Sequence, residues 1–224
     1  MNKKIILLVI LILIVGFGLY YYEEVAIKEN LVTKNGDMSF FITSQNPGRG
    51  GDLGGLVGAD NYCKTLAESV GATGKTWAAY LSAKDGDKVT NARERIGQGP
   101  WFNAKGEIIA NNLEELHAEN NLNKSTALTE KGEMVNGRGD TPNLHDIMTG
   151  SDMLGNYFAT TTDSTCSNWT SSATGSAAVG HHDRVGINDS PAMKSWISSH
   201  LSRGCSLDNL KTTGGGGLFY CFAK

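Results

Sequence analysis

The segment Gly217–Ala223, near the C-terminal end, constrains the fold more than any other part of the sequence. In a β-strand, successive side chains point to opposite faces of the sheet. One face of this segment carries Leu218, Tyr220 and Phe222, and the other carries Phe219, Cys221 and Ala223. A strand that is apolar on both faces must be covered on both. The sequence therefore predicts a central strand, in which Cys221 can form a disulfide with an earlier cysteine.

Length and charge exclude one class of function. The chain has 224 residues, a formal net charge of −3 and no cluster of basic residues. Without such a cluster, the sequence offers nothing to hold a phosphate backbone, so we expect no nucleic-acid partner. The length is sufficient for one domain with a substantial core.

The N-terminal segment predicts export from the cytosol. Lys3 and Lys4 precede 18 uncharged residues, most of them aliphatic. A run of this length can just cross a bilayer, and the two lysines favour a cytoplasmic N-terminus. We therefore expect a signal anchor at 1–22, a linker at 23–37 and an extracytoplasmic domain at 38–224. A cleaved signal peptide is the alternative, and it would give a secreted protein.

Hydrophobic periodicity indicates further elements between these ends. Apolar residues recur with helical spacing over Ala59–Val70, which predicts a helix with Cys63 on its buried stripe. We also expect strands at 39–43 and 76–82, short helices at 91–96 and 112–119, and short strands at 158–162 and 177–179. The stretch 120–162 has the composition of a long irregular loop, and such loops in compact domains commonly carry function.

Four cysteines allow three different pairings into two disulfides. Cys63 on a buried helix and Cys221 on a buried strand can meet in the core, which leaves Cys166 to pair with Cys205. This pattern is nested, because the first bridge encloses the second. The exported location favours these bridges over the alternative of four free thiols.

Several short motifs occur in the same order as in the endostatin domain of collagens. They are the helix with Cys63, the segments 71–82 and 102–109, Cys166-Ser-Asn-Trp169, the segment 173–177, Cys205, and Leu-Phe-Tyr-Cys-Phe at 218–222. The chain thus resembles endostatin-like domains, which belong structurally with C-type-lectin-like domains, and it is similar to exported bacterial lectin-like proteins. The resemblance implies an α+β fold with paired terminal strands, the nested disulfides and long loops on one side. The resemblance indicates the fold rather than the function, because this scaffold hosts many functions.

The long loop contains a candidate calcium site. Sugar-binding C-type lectins hold Ca²⁺ with a Glu-Pro-Asn or Gln-Pro-Asp loop, and this chain has Asp140-Thr-Pro142-Asn143. Asp140 and Asn143 offer the oxygen ligands that Ca²⁺ prefers, although the acid or amide directly before the proline is missing. Arg138-Gly139-Asp140 also matches an integrin-type tripeptide. A structural turn, capped by Asp140, is the alternative interpretation of both motifs.

A second polar cluster contains most of the histidines. It comprises His181, His182, Asp183 and Arg184, which together with His145, Asp146 and His200 can supply nitrogen and oxygen ligands for zinc. Adjacent histidines in an extended chain point to opposite sides, so His181 and His182 are not expected to bind one ion. The sequence has no HExxH spacing. A hydrogen-bonded cluster with a structural role, or one that contacts a ligand directly, is the other interpretation.

These observations favour a membrane-anchored extracytoplasmic binding or adhesion module that recognises a glycan or a protein. The expected ligand surface combines 120–162 with 181–203. No Gly-x-Ser-x-Gly context marks a nucleophilic serine, so the sequence favours binding over catalysis. The alternatives are a metal-dependent hydrolytic enzyme that uses His181, His182 and Asp183, and a purely structural envelope protein.

Overall fold

The computed structural model describes residues 13–24 and 38–224. Residues 13–24 form a helix, α1, whose side chains are exposed. Over these described ranges, no helix is both long enough and apolar enough to cross a membrane. The predicted anchor at 1–22 and linker at 23–37 fall largely outside the described residues.

The domain contains ten strands and five further helices within 38–224. The strands are β1 (Phe40–Ile42), β2 (Trp77–Ala79), β3 (Ala83–Asp85), β4 (Lys88–Thr90), β5 (Trp101–Phe102), β6 (Ile108–Ala110), β7 (Asp146–Met148), β8 (Ala178–His181), β9 (His200–Leu201) and β10 (Gly215–Ala223). The helices are α2 (Gly55–Ser69), α3 (Ala92–Arg95), α4 (Leu113–His117), α5 (Cys166–Trp169) and α6 (Leu207–Thr213). The fold is α+β, as predicted.

Strand β10 is the centre of the main sheet, which confirms the prediction made from its sequence. The sheet has six strands in the described chain, in the order β1-β10-β7-β8-β9, with β2 also paired to β10. β1 and β2 run antiparallel to β10, whereas β7 runs parallel to it. Every residue of β10 is buried, because the strand has neighbours along its length and side chains covering both faces.

The two faces of β10 belong to two separate hydrophobic clusters. Phe219, Cys221 and Ala223 pack in the cluster that also contains helix α2. Leu218, Tyr220 and Phe222 pack in the opposite cluster, which contains Trp101 and Trp196. The alternation of the sequence therefore fixes which side chain enters which half of the core.

Helix α2 covers one face of the sheet. Its buried residues are Ala59, Cys63, Leu66 and Ala67, which follow the predicted helical spacing. The helix begins at Gly55, four residues before the predicted start. Gly71 follows its end with φ 87°, a left-handed conformation that glycine adopts without a steric penalty.

Both predicted disulfides are present and nested. Cys63 pairs with Cys221 across 158 positions of sequence, and Cys166 pairs with Cys205 across 39. The outer bridge connects α2 to β10. Cys166 begins the short segment α5, in which all four residues have positive φ values, so this turn is left-handed.

The structure corrects the sequence-based secondary structure at three places. The stretch 120–162, predicted to be a long irregular loop apart from its last residues, contains β7, a central strand with three buried residues. The strand predicted at 158–162 is absent from this described segment, whose residues 159–162 are exposed. Helix α6 was not predicted, because its apolar stripe is reduced to one buried residue, Leu210.

Candidate metal centre

The strand register brings three polar side chains onto one face at one end of the sheet. Asp146 of β7 pairs directly with His181 of β8. His200 of β9 pairs with Val179, two residues before His181 on the same strand. Because residues two apart on a strand share a face, and directly paired residues do too, Asp146, His181 and His200 point to the same side.

A third imidazole, that of His145, completes the cluster. The Nε2 atoms of His145, His181 and His200 lie 3.1, 3.4 and 3.6 Å from Asp146 Oδ1. The rings of His145 and His181 are stacked with centroids 4.2 Å apart, and His181 Nε2 lies 3.0 Å from His200 Nε2. Asp146 Oδ1 thus has three imidazole nitrogens within 3.6 Å, and the donor atoms of His145, Asp146 and His181 all lie within 4.8 Å of one another. We call these three residues, together with His200, the histidine–aspartate cluster.

The outer nitrogen of each imidazole contacts an acceptor. His181 Nδ1 lies 2.8 Å from the Met193 carbonyl oxygen, and His200 Nδ1 lies 3.2 Å from the Leu201 carbonyl oxygen. His145 Nδ1 lies 3.4 Å from Asp183 Oδ1. Carbonyl and carboxylate oxygens only accept, so these contacts favour the tautomer that is protonated at Nδ1 and has a lone pair at Nε2. This is the outer arrangement that metal-binding histidines have in proteins. The 3.0 Å contact between the Nε2 atoms of His181 and His200 then requires a proton or a metal ion between them.

The carboxylate at the centre of the cluster lacks hydrogen-bond donors. The side chain of Asp146 is 3% exposed. Among the described residues, no atom donates a hydrogen bond to either of its oxygens. Burying a carboxylate without a partner costs roughly several kcal/mol, and a bound cation would offset that cost. A single added proton can bridge only one imidazole nitrogen to the carboxylate, whereas a metal ion can bind several of these donor atoms at once.

The geometry and the donor types favour zinc over hard cations. Tetrahedral Zn²⁺ with bonds of about 2.0–2.1 Å separates its ligand atoms by about 3.3 Å. Four of the six separations between the donor atoms, 3.0, 3.1, 3.4 and 3.6 Å, surround that value, and the three donors that all lie within 4.8 Å of one another are those of His145, Asp146 and His181. Ca²⁺ and Mg²⁺ take mostly oxygen ligands, and in larger number. The cluster, with three nitrogens and one oxygen, therefore suits a divalent transition metal of the zinc type.

Two glycines allow the backbone to approach the cluster closely. A Cβ atom on Gly180 would lie 2.0 Å from the Trp196 carbonyl oxygen, so only glycine lets the segment leading to His200 pack against β8. A Cβ atom on Gly214 would lie 3.2 Å from both Asp146 Oδ2 and His145 Nε2. Gly214 also has φ 137°, a conformation that disfavours other residues.

The other predicted residues of the second polar cluster lie around the site rather than in it. His182 points away from His181, as predicted, and its Nε2 lies 3.2 Å from the Asn136 carbonyl oxygen. Burial lowers the pKa of His182 to about 4, so this ring is neutral at physiological pH. Arg184 donates from its guanidinium to the Leu122 and Lys194 carbonyls and to Asn120 Oδ1, a structural role.

Asp183 supports the cluster from its second layer. It accepts hydrogen bonds from the backbone amides of Arg138 and Val185 in addition to that from His145. Burial by itself raises the pKa of Asp183, but these hydrogen bonds outweigh it and hold the pKa well below the ordinary value. Asp183 is therefore an anion, which orients the His145 ring.

The residues of the predicted calcium site have other partners in the structure. Asp140 Oδ2 lies 2.5 Å from Lys124 Nζ and accepts from the Gly137 amide. Asn143 Oδ1 accepts from the His145 amide. A lysine paired to Asp140 competes with any cation there, and calcium binding at Asp140 and Asn143 stays a prediction. Arg138 is exposed and contributes its backbone amide to Asp183.

The two parts of the predicted ligand surface are joined in the structure. Asn136 and Arg138 contact His182 and Asp183, and Leu122 contacts Arg184. The loop 120–140 thus packs on the turn after β8. The metal-binding atoms themselves lie at the edge of this surface.

The sequence places every member of the histidine–aspartate cluster in or beside the second polar cluster, of which His181 to Arg184 is the densest part. The structure brings His145, Asp146 and His181 together with His200 beside them, whereas His182 and Arg184 have other partners. The sequence signal that could have identified the site is the pair His145-Asp146 directly before two apolar residues. Asp146 begins the buried strand β7, which lies in a region predicted to be a loop. No protein-family model matches the sequence, and no curated protein matches it either.

Proposed function

We propose that this protein is a metal-binding module of the zinc type, with His145, Asp146, His181 and His200 as the protein ligands. The observation that carries the proposal is the buried Asp146 carboxylate, which has no hydrogen-bond donor within the described residues and faces three imidazole Nε2 atoms. The outer contacts of the three rings leave these nitrogens unprotonated when the rings are neutral.

The proposal includes the setting of this metal site. We infer an extracytoplasmic domain with a C-type-lectin-like, endostatin-like fold, held to the membrane by the N-terminal segment and acting in binding or adhesion. The two disulfides support an oxidising compartment. The joined loops at 120–140 and 181–184 support a recognition surface for an envelope glycan or a protein.

The metal content of the full-length chain tests the proposal. The purified chain, stripped with a chelator and titrated with Zn²⁺, is expected to bind one equivalent. His181→Gln removes a ligand, so we expect it to lose this equivalent, since a histidine nitrogen on zinc cannot be replaced by an amide. Isothermal titration calorimetry and elemental analysis provide the measurement.

His182→Gln is the matched control. It changes the neighbouring buried histidine, whose ring points away from the cluster and whose Nε2 contacts the Asn136 carbonyl. Glutamine can donate to the same carbonyl, so this variant is expected to keep the metal. A wild-type chain that binds no Zn²⁺, Co²⁺ or Cu²⁺, or equal metal loss in both variants, would overturn the proposal.

A further inference from the structure

The four donors of the histidine–aspartate cluster differ in exposure. The side chains of His145, Asp146 and His181 are 4, 3 and 1% exposed, whereas that of His200 is 32% exposed. Solvent therefore reaches the cluster from the side of His200. The other three donors lie in the protein interior, where no external molecule can replace them.

His200 is also the donor that the protein holds least firmly. It lies on β9, a strand of two residues at the end of the sheet order. Its Nδ1 contacts the carbonyl of the next residue at 3.2 Å, while the rings of His145 and His181 are held by separate segments through Asp183 and Met193. Its Nε2 has the longest distance to Asp146 Oδ1, 3.6 Å.

A hydrogen-bond donor lies beside the cluster. The position of a Cβ on Gly214 would be 3.3 Å from Asn143 Nδ2 and 3.2 Å from both Asp146 Oδ2 and His145 Nε2. Asn143 Oδ1 accepts from the His145 amide, which fixes the orientation of the side chain and directs Nδ2 away from that contact. The absent side chain of Gly214 leaves this amide nitrogen close to the metal-binding atoms.

We propose that the metal ion has one exchangeable position, on the His200 side, and that it takes a carboxylate from an external ligand there. This inference rests on the metal site proposed above. Carboxylate oxygens are established ligands of zinc-type ions, and their charge makes them stronger ligands than neutral oxygens. One carboxylate oxygen binds the ion, and the other accepts a hydrogen bond from Asn143 Nδ2. The ligand is thus recognised through an acidic group, whether it belongs to a sugar acid or to a peptide.

The experiment follows the visible spectrum of the full-length chain loaded with Co²⁺, whose colour reports the ligands of the ion. Titration with acetate is expected to change the spectrum in a saturable way, while sodium perchlorate, whose anion coordinates metals very weakly, leaves it unchanged at the same ionic strength. Removing His200 frees the position but also removes one donor, so His200→Ala is expected to bind Co²⁺ more weakly. Once it is loaded with excess Co²⁺, it is expected to bind acetate about ten-fold more tightly than the wild type does. His181→Ala is expected to lose Co²⁺.

Asn143→Asp tests the amide donor. The aspartate keeps an oxygen that accepts from the His145 amide but has no Nδ2, so acetate binding is expected to weaken about ten-fold while Co²⁺ stays bound. Galacturonate and an acetylated dipeptide with a free carboxylate then distinguish the two sources. The one that binds more tightly than acetate identifies the ligand as a sugar acid or a peptide.

Two outcomes separate this inference from the proposed function. If Co²⁺ binds but acetate changes neither the wild-type spectrum nor that of His200→Ala, the site is closed and structural, and only this inference fails. If neither Co²⁺ nor Zn²⁺ binds, the proposed function fails as well.

Discussion

Two buried acids, Glu130 and Asp146, lie in opposite kinds of surroundings. Glu130 is completely buried, and Ser44 satisfies both of its oxygens, with the hydroxyl at 2.5 Å and the amide at 3.0 Å. Asp146 is buried almost as deeply, yet its nearest polar neighbours are three imidazole nitrogens that act as acceptors when neutral. A buried polar group that serves the fold is normally satisfied. The difference supports the proposal that Asp146 binds a metal ion, whereas Glu130 is a satisfied acid of the fold.

The largest expected effect of this difference is on metal affinity. Asp146→Asn removes the central ligand, so we expect a loss larger than the about 10- to 100-fold that changes in the second layer cause. Glu130→Gln lies outside the cluster and is expected to leave the affinity unchanged. Competition titration with a coloured Zn²⁺ chelator measures both. Retention of tight binding by Asp146→Asn would remove the contrast between the two acids.

Asp183 is the intermediate case, since it is a satisfied acid that also holds a metal ligand. Asp183→Asn keeps one acceptor oxygen but removes the charge that orients His145, so we expect an about 10- to 100-fold lower Zn²⁺ affinity. Asp140→Asn, in the exposed loop nearby, is the control and should bind as the wild type does. The same chelator competition distinguishes them, and equal affinities for all three proteins would show that Asp183 has only a structural role.

In the absence of metal, the free energy of unfolding should rank the two substitutions in the opposite order. In excess chelator, Glu130→Gln leaves a Ser44 donor unsatisfied and should cost about 1–3 kcal/mol of unfolding free energy. Asp146→Asn removes an unpartnered buried charge and should be neutral or stabilising. Urea unfolding of the metal-free proteins compares them. A strongly destabilised Asp146→Asn would mean that the carboxylate is held by the protein itself.

The smallest expected effect concerns a histidine outside the cluster. His117 has both ring nitrogens engaged, by Leu113 and by the Tyr80 hydroxyl. Burial lowers its pKa below the ordinary 6.5. As the pH falls, His117 is therefore protonated in the unfolded chain before it is protonated in the folded protein. The contribution of neutral His117 to the free energy of unfolding is complete above about pH 6.5 and declines as the pH falls below that value.

The wild type should thus lose more stability than His117→Gln between pH 7.5 and pH 5. One proton sets a limit of about 1.4 kcal/mol per pH unit, and the partial exposure of His117 makes the observed slope smaller. Subtracting the two unfolding curves cancels the other titrating groups, which include nearby Asp152 and the more deeply buried His182. Identical pH dependence in both proteins would contradict the assignment.

Local patterns predicted the framework of the domain well. The alternation in 217–223 is enough to place β10 between two apolar clusters, and the helical spacing around Cys63 is enough to place that cysteine in the core opposite Cys221. Both predictions depend only on the period of side-chain direction along one element. The same reasoning failed for β7, because three residues are too few to show a period.

The sequence by itself determined the α+β framework, the two disulfides and the set of polar residues from which a metal site can be built. The tertiary structure decided which of them meet. Asp146, His181 and His200 are separated by up to 54 positions, and the pairing of β7 with β8 and of β8 with β9 places them on one face. That register depends on contacts between strands that are distant in sequence. The close packing at Gly180 and Gly214 likewise involves residues from other segments, so the sequence around each glycine does not predict it.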